Sequence, residues 1–317
     1  MLGGMYDSVN MRLFAGEAAG VDFLEEVPCR LDQHSVAEHI MAGFSWVTGK
    51  LGNLSVRVTD GRVDVYGGSL CRWYLGNNVE TMGRHDVQEA VMRLSDTLHL
   101  PMDRAEVTRL DVAENFIMRQ PVDVYLGRLG RWGKALPEPR GKGIYYHRTA
   151  ETLCFYDKVA EQEQEHNGVP SMYEGKNVLR YEQRFAGRLS AAFKVGRVTG
   201  GTLYDVAFYK AALARWRDTY RSIRKTHEIK PRLDVMKGKK EFYRVAALAY
   251  IEQFGGELQF MRYIDEARKC GEVDRKTAYQ LRQAVEEVCK SDSVAVSYSE
   301  AIKELDKKIT EAVLYYR

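Results

Sequence analysis

Residues 107–116, 152–158 and 178–185 each alternate polar and apolar side chains, and in each the polar side carries groups able to do chemistry. On a strand, successive side chains point to opposite faces. The first stretch therefore aligns Arg109, Asp111 and Asn115, the second Tyr156 and Lys158, and the third Arg180, Glu182 and Arg184. Leu110, Val112, Phe116, Leu153, Phe155, Leu179, Tyr181 and Phe185 turn to the other side, toward a core. Neighbouring strands lie about 4.8 Å apart, so one sheet can gather two carboxylates, a tyrosine and several cations. That set suits metal-assisted phosphoryl transfer with a tyrosine nucleophile. Alternation alone describes a half-solvated sheet equally well, its charges pairing across strands. The order of the motifs separates the two readings.

Along the chain come Thr108-Arg109-Leu110-Asp111, Ile144-Tyr145-Tyr146, Phe155-Tyr156-Asp157-Lys158 and Leu179-Arg180-Tyr181-Glu182. The series resembles the rolling-circle replication initiators of filamentous phages and small plasmids. These show an Arg-x-Asp strand, a Tyr-Tyr strand leading to aromatic-Tyr-Asp/Asn-Lys, and an Arg-x-Glu strand. Upstream, Gly68-Ser69-Leu70-Cys71-Arg72-Trp73 and Gly76-Asn77-Asn78 resemble phage-type members from gut bacteria. The resemblance covers residues 60 to 225.

What it implies is a nickase. Tyr156 would attack the scissile phosphodiester, expel a 3′-hydroxyl and keep the bond as a 5′-phosphotyrosine for later rejoining. A phenol with a pKa near 10 needs its anion stabilised, and Lys158, two residues on, is the nearest candidate. Arg180 and Arg184 can grip the phosphate as guanidinium forks, with Arg109 on the same DNA-facing side. Asp111 and Glu182 match the family's carboxylate positions and would hold Mg²⁺ or Mn²⁺. Two features depart from the pattern. Many plasmid members carry an acid where this chain has Asn115, and Glu114 falls on the apolar side, where a bulge would have to re-aim it. None of the seven histidines forms the His-hydrophobic-His pattern of HUH nicking enzymes. His147 is a further ligand candidate or a plain surface residue. Tyr145 and Tyr146 are open to three roles: second nucleophile, stacking platform for unpaired bases, or core.

The elements that must position these groups are partly legible. Residues 6–14 alternate loosely, 34–44 suggest a helix, and Thr59-Asp60-Gly61 between two alternating runs marks a hairpin. A helical period runs through 85–98, with Pro101 just beyond, and Pro121 opens a short helix. After Phe185 the period lengthens. Residues 203–223 read as one helix with a cationic end, Arg215, Arg217, Arg221, Arg224 and Lys225, facing solvent or phosphates. Residues 225–240, with Lys230 and Pro231, read as a linker. Three helices follow, at 241–254, 258–269 and 275–290, separated by glycines; they suit a helix-turn-helix or an ordinary bundle. In the first case Arg275 would face DNA. A last helix, 300–315, carries a stripe for packing or dimerisation.

A net charge of +3 on 317 residues means that DNA binding requires a local basic face rather than a basic whole. Five cysteines without metal-ligand spacing, no basic-plus-apolar leader and no apolar run of about 20 residues point to the bacterial cytoplasm and away from a membrane. No phosphate-binding loop is visible, so unwinding would fall to a host helicase and synthesis to a host polymerase.

The expectation is an α+β protein: an antiparallel sheet with packed helices over residues 1–228 forms the nicking domain, and 240–317 a helical module. Its partner is origin DNA, duplex and single-stranded. A non-catalytic DNA-binding regulator on the same scaffold and a relaxase for plasmid or transposon transfer are the alternatives.

Overall fold

The computed structural model describes residues 4–77, 79–166, 168–225, 227–228, 236, 238–290 and 297–316. Fourteen strands are present among them: β1 (Tyr6–Phe14), β2 (Ala37–Met41), β3 (Phe44–Leu51), β4 (Leu54–Val58), β5 (Arg62–Tyr66), β6 (Glu106–Met118), β7 (Leu129–Trp132), β8 (Glu138–Arg140), β9 (Gly143–His147), β10 (Glu151–Asp157), β11 (Asn177–Ala186), β12 (Ile223–Lys225), β13 (His227–Glu228) and β14 (Ser297–Tyr298). Ten of them make one sheet in the order β2-β3-β4-β5-β1-β6-β11-β10-β9-β8, every neighbouring pair antiparallel. With its helices and its helical carboxy-terminal region, the protein is α+β.

The sequence shows no repeat, yet the topology has one. In each half a long strand (β1 or β6) lies at the middle of the sheet, a run of hairpins follows, and the last strand (β5 or β11) returns beside the first. The halves meet where β1 pairs with β6.

The helices are α1 (Phe23–Glu26), α2 (Leu70–Leu75), α3 (Arg84–Leu98), α4 (Val122–Leu126), α5 (Lys158–Gln164), α6 (Leu189–Phe193), α7 (Val206–Arg221), α8 (Gly238–Gln253), α9 (Gly256–Lys269), α10 (Arg275–Lys290) and α11 (Glu300–Tyr315). The main core lies between the apolar sheet face and α3, α4, α7 and α11. Phe155 stacks on Tyr181 at 4.4 Å between ring centroids, Tyr181 on Trp216 of α7 at 4.5 Å, and the Tyr181 hydroxyl donates to the Trp216 carbonyl at 3.1 Å. The other face is polar. At one end it is covered by α2, α5 and the segment around Tyr173, where Val79, Val159, Val169, Tyr173 and Val178 make a small separate core.

Two expectations need correction. Residues 34–44 are not a helix: a 3-10 turn at Gln33–Ser35 leads into the β2–β3 hairpin. The reason is the two-residue turn Ala42-Gly43, both at positive φ (50° and 81°), which suits a tight hairpin of twisted strands. The 240–317 segment also divides. Helices α8, α9 and α10 share a small core of their own. Helix α11 instead adds Ile302, Leu305, Ile309 and Val313 to the main core. The short β13–β14 ladder, His227 opposite Tyr298, brackets the three-helix unit, which is thus inserted between α7 and α11.

Candidate active site

Strands β6, β11 and β10 lie side by side, with Asp111 opposite Arg184, Asn115 opposite Arg180, and Arg180 opposite Tyr156. The sequence-predicted groups of the three stretches, Lys158 excepted, therefore do share one face. Arg109 chelates Asp111 with two hydrogen bonds, 2.9 Å from Nε and 2.6 Å from Nη2. Arg184 Nε stands 2.6 Å from Glu182 Oε1. The Tyr156 hydroxyl donates to Glu182 Oε2 at 3.5 Å.

Sequence reasoning missed Asp7. A bulge between Tyr6 and Val9 of β1 breaks the pairing with β6, and Asp7 turns toward the site; the loosened alternation of residues 6–14 was the one available signal. Carboxylate oxygens of Asp7, Asp111 and Glu182 lie within 4.8 Å of one another, the one such group of three potential ligands among the described residues. Ser69, which caps α2, donates to Asp7 at 3.2 Å.

These acids feel one another. Burial, against the pull of Arg109 and with the negative charges of Glu182 and Asp7 nearby, pushes Asp111 up to about 8. Burial also works against Glu182, but Arg184 and Arg180 hold it below the usual carboxylate range. Three desolvated hard-oxygen donors in so small a space are the donor set that Mg²⁺ or Mn²⁺ prefers, and a cation would relieve their repulsion. The residues fit such an ion.

Arg180 is 1% exposed and lies beneath this group rather than at its surface. Its guanidinium reaches Asp7 at 3.0 Å, Asn115 at 3.1 Å and Glu182 at 3.7 Å. At that depth it is closed to a phosphate, whereas the side chains of Arg184 and Arg109 are about one-third exposed (34% and 35%). Asn115 spends its carbonyl oxygen on Arg180 and donates to the Val79 carbonyl at 2.7 Å, so it is not aimed as a ligand. Glu114 faces the apolar side, bonded to its neighbour's amide and to Tyr316.

Lys158 does not continue the strand. Asp157 accepts from the amides of Val159 and Ala160 and so caps α5, of which Lys158 is the first residue. Its ammonium is buried, 2.9 Å from Glu161 and 6.0 Å from the centre of the Tyr156 ring. Burial and Arg180 lower its pKa against the pull of Glu161. Tyr156 itself has its pKa raised, by burial first and by Glu182, with Arg180 opposing. The tyrosine wall borders a cleft of about 240 Å³ with Arg140, Lys142, Gly143, Tyr145 and Glu161. A Cβ on Gly143 would come within 2.7 Å of that of Tyr156, so only glycine lets β9 pack there.

Tyr145 and Tyr146 separate cleanly. Tyr146 is in the core, its hydroxyl donating to the Gly130 carbonyl at 2.6 Å, and is no platform for bases. Tyr145 is on the cleft, with Arg140 over its ring at 5.5 Å. His147 stacks on Tyr145 and lies 3.8 Å from Glu138, outside the carboxylate group.

The expected DNA contacts beyond the sheet are scattered. Arg215 pairs with Glu151 at 2.6 Å, and Arg221 reaches Thr310 at 3.3 Å. Lys225 is half-buried, its ammonium over the Tyr220 ring and bonded to the Tyr220 carbonyl. Arg275 is exposed at the start of α10, and Lys230 lies outside the described residues.

No helix among the described residues is long and apolar enough to cross a membrane. A comparison with curated proteins gives no match. A family model for the amino-terminal part of a phage replication-associated protein matches residues 5–204, beginning well before residue 60, where the motifs start, and ending at the threshold of α7. It takes in the whole ten-stranded sheet and the carboxylate group. The chain thus belongs to this family of phage replication-associated proteins, the initiators of rolling-circle replication.

Proposed function

We propose that this initiator is a metal-dependent nickase that cuts one strand of origin DNA with Tyr156 and later rejoins it. The observation that carries the reading is the Tyr156 hydroxyl, 3.5 Å from Glu182 and on the same sheet face as Asp7 and Asp111. With its pKa raised, Tyr156 rests as the neutral phenol. Glu182, kept ionised by two arginines, is placed to accept the phenolic proton as the oxygen attacks phosphorus. The new bond is Oη–P; the bond that breaks is P–O3′, and the leaving oxygen takes a proton from water, to which Glu182 returns the phenolic proton, to become the 3′-hydroxyl. Rejoining reverses each transfer.

Asp7, Asp111 and Glu182 would hold Mg²⁺ or Mn²⁺, which when bound supplies Lewis acidity toward the phosphoryl oxygens. Arg109 and Arg184, at the rim, bind and orient the phosphate. Arg140 and Tyr145 line the approach to Tyr156. Strand separation belongs to a helicase of the host, and copying to its polymerase.

The test is a denaturing gel with end-labelled origin DNA. Wild-type protein should yield a shifted covalent adduct that proteolysis collapses to a peptide stub, and Tyr156→Phe should yield none while still binding DNA. An adduct that survives in Tyr156→Phe and vanishes in Tyr145→Phe would transfer the role to Tyr145.

A further inference from the structure

The amino-terminal half of the sheet has a polar face of its own, and the strand register makes it continuous with the active site. Arg184 is opposite Asp111, Arg109 opposite Asn10, Arg12 opposite Asp64, and Asp64 opposite Arg57. Directly opposed residues share a face. Four guanidinium groups, Arg184, Arg109, Arg12 and Arg57, thus step diagonally over the sheet from the carboxylates toward β3. The diagonal ends in aromatic rings. His39 stacks on Trp46 at 5.1 Å, with 12° between the planes, and the Arg57 guanidinium lies 5.1 Å from the centre of the same indole. Nε of Arg57 has no hydrogen-bond partner. Beside it is a cleft of about 640 Å³ lined by Phe14, Met41, Phe44, Trp46, Arg57 and Arg62. Phe44 is 77% exposed.

An aromatic surface this open is unusual for structure alone. Stacked rings flanked by guanidinium groups are what unpaired bases and their phosphates need. Six strand spacings separate β3 from β10, and about ten residues of strand length separate the rows of Trp46 and Tyr156, so the diagonal is roughly 40 Å long. We propose that Trp46, with His39 and Arg57, is a distal stacking platform for single-stranded DNA, and that the arginine diagonal guides the strand between it and Tyr156. The idea rests on the nicking reading only for the direction in which the strand runs.

Binding can be measured without cleavage, in chelator, with oligothymidylates of graded length and the full-length Tyr156→Phe protein. Affinity should rise with length until the strand spans the diagonal. Trp46→Ala should remove the last increment, weakening the longest oligonucleotide roughly tenfold, the scale of one lost base stack. The shortest should bind as before. Trp46→Phe keeps a ring and should retain most of the increment, yet lose the tryptophan quenching that accompanies binding. Arg57→Gln should lower the slope of log affinity against log salt by about 0.7, one single-strand phosphate contact. Equal loss at every length, unchanged binding in all three variants, or a loss confined to duplex DNA would each overturn the platform. So would a variant that changes only self-association, which would make the exposed Met41 and Phe44 an interface between copies. Because no chemistry is read, failure of Tyr156 as nucleophile and failure of the platform give different results.

Discussion

Arg180 Nη2 lies 3.0 Å from Asp7 Oδ2, joining a guanidinium of β11 to a carboxylate of β1 across the intervening strand β6. The contact draws the first strand into a site to which the three motif strands bring two of the three clustered carboxylates. It also stores a fully buried cation under the active site, compensated by Asp7, Asn115 and Glu182.

Removing that cation leaves buried carboxylates uncompensated. Arg180→Met should cost about 3–5 kcal/mol of folding stability, the usual penalty for breaking a buried ion pair from one side. Arg184→Met should cost less, because water reaches the vacated rim. Urea unfolding midpoints of the two variants measure the difference; equal midpoints would contradict the burial argument.

Asp7→Asn keeps shape and hydrogen bonding but removes one charge. Manganese affinity, titrated by the paramagnetic signal of the free ion, should fall roughly tenfold or more, since affinity for a hard cation follows the number of charged ligands. Asp111→Ala and Glu182→Ala should do the same. Asn115→Ala should leave the affinity near wild type, because its carbonyl oxygen already serves Arg180.

Tyr146→Phe deletes a buried hydrogen bond to Gly130 and should cost about 1 kcal/mol without altering cleavage. Tyr145→Ala, on the cleft, should instead raise the KM for a single-stranded substrate. Denaturation curves and steady-state cleavage of one oligonucleotide read both effects.

Cutting the chain at residue 240 should fail to give a folded domain, because it discards Ile302, Leu305, Ile309 and Val313 from the main core. Excising residues 238–290 and joining the β13 and β14 ends with a short Gly/Ser linker should fold. Far-UV dichroism on heating distinguishes the two. If α8 to α10 address the origin, the excised protein should nick single strands yet bind its own duplex origin no better than unrelated duplex.

Lys225 carries a pH signature. Burial lowers its pKa to about 8, Asp306 opposing and Arg221 assisting, whereas the unfolded side chain titrates near 10.4. Between those values the unfolded chain holds a proton that the folded one has released, so this group makes stability rise with pH in that window. Lys225→Met should flatten the rise, as denaturant midpoints at about pH 7.5 and about pH 10 would record.

The three motif strands were readable because each has one apolar and one reactive side over its whole length, and pairing in register did the rest. Asp7 was not, because its orientation depends on a bulge against a strand about a hundred residues away. Lys158 misled for a local reason: Asp157 caps a helix at that point, so the alternating pattern ends one residue before the lysine. The placement of α11 was hidden too, since its apolar stripe fits any partner and only the fold selects the sheet. The hairpin at 37–51 turned on Ala42 accepting positive φ, which an alanine does not advertise.

The two-half topology has a consequence for timing. Asp7 is made with the first strand of the first half, well before Glu182, which emerges only with the last strand of the second half. A chain interrupted anywhere before β11 has at most two of the three acids and no Arg180 to fix Asp7. The carboxylate centre is therefore a late product of synthesis. On the nicking proposal, a protein made to break its own genome stays harmless until both halves have been built and joined at the β1–β6 seam.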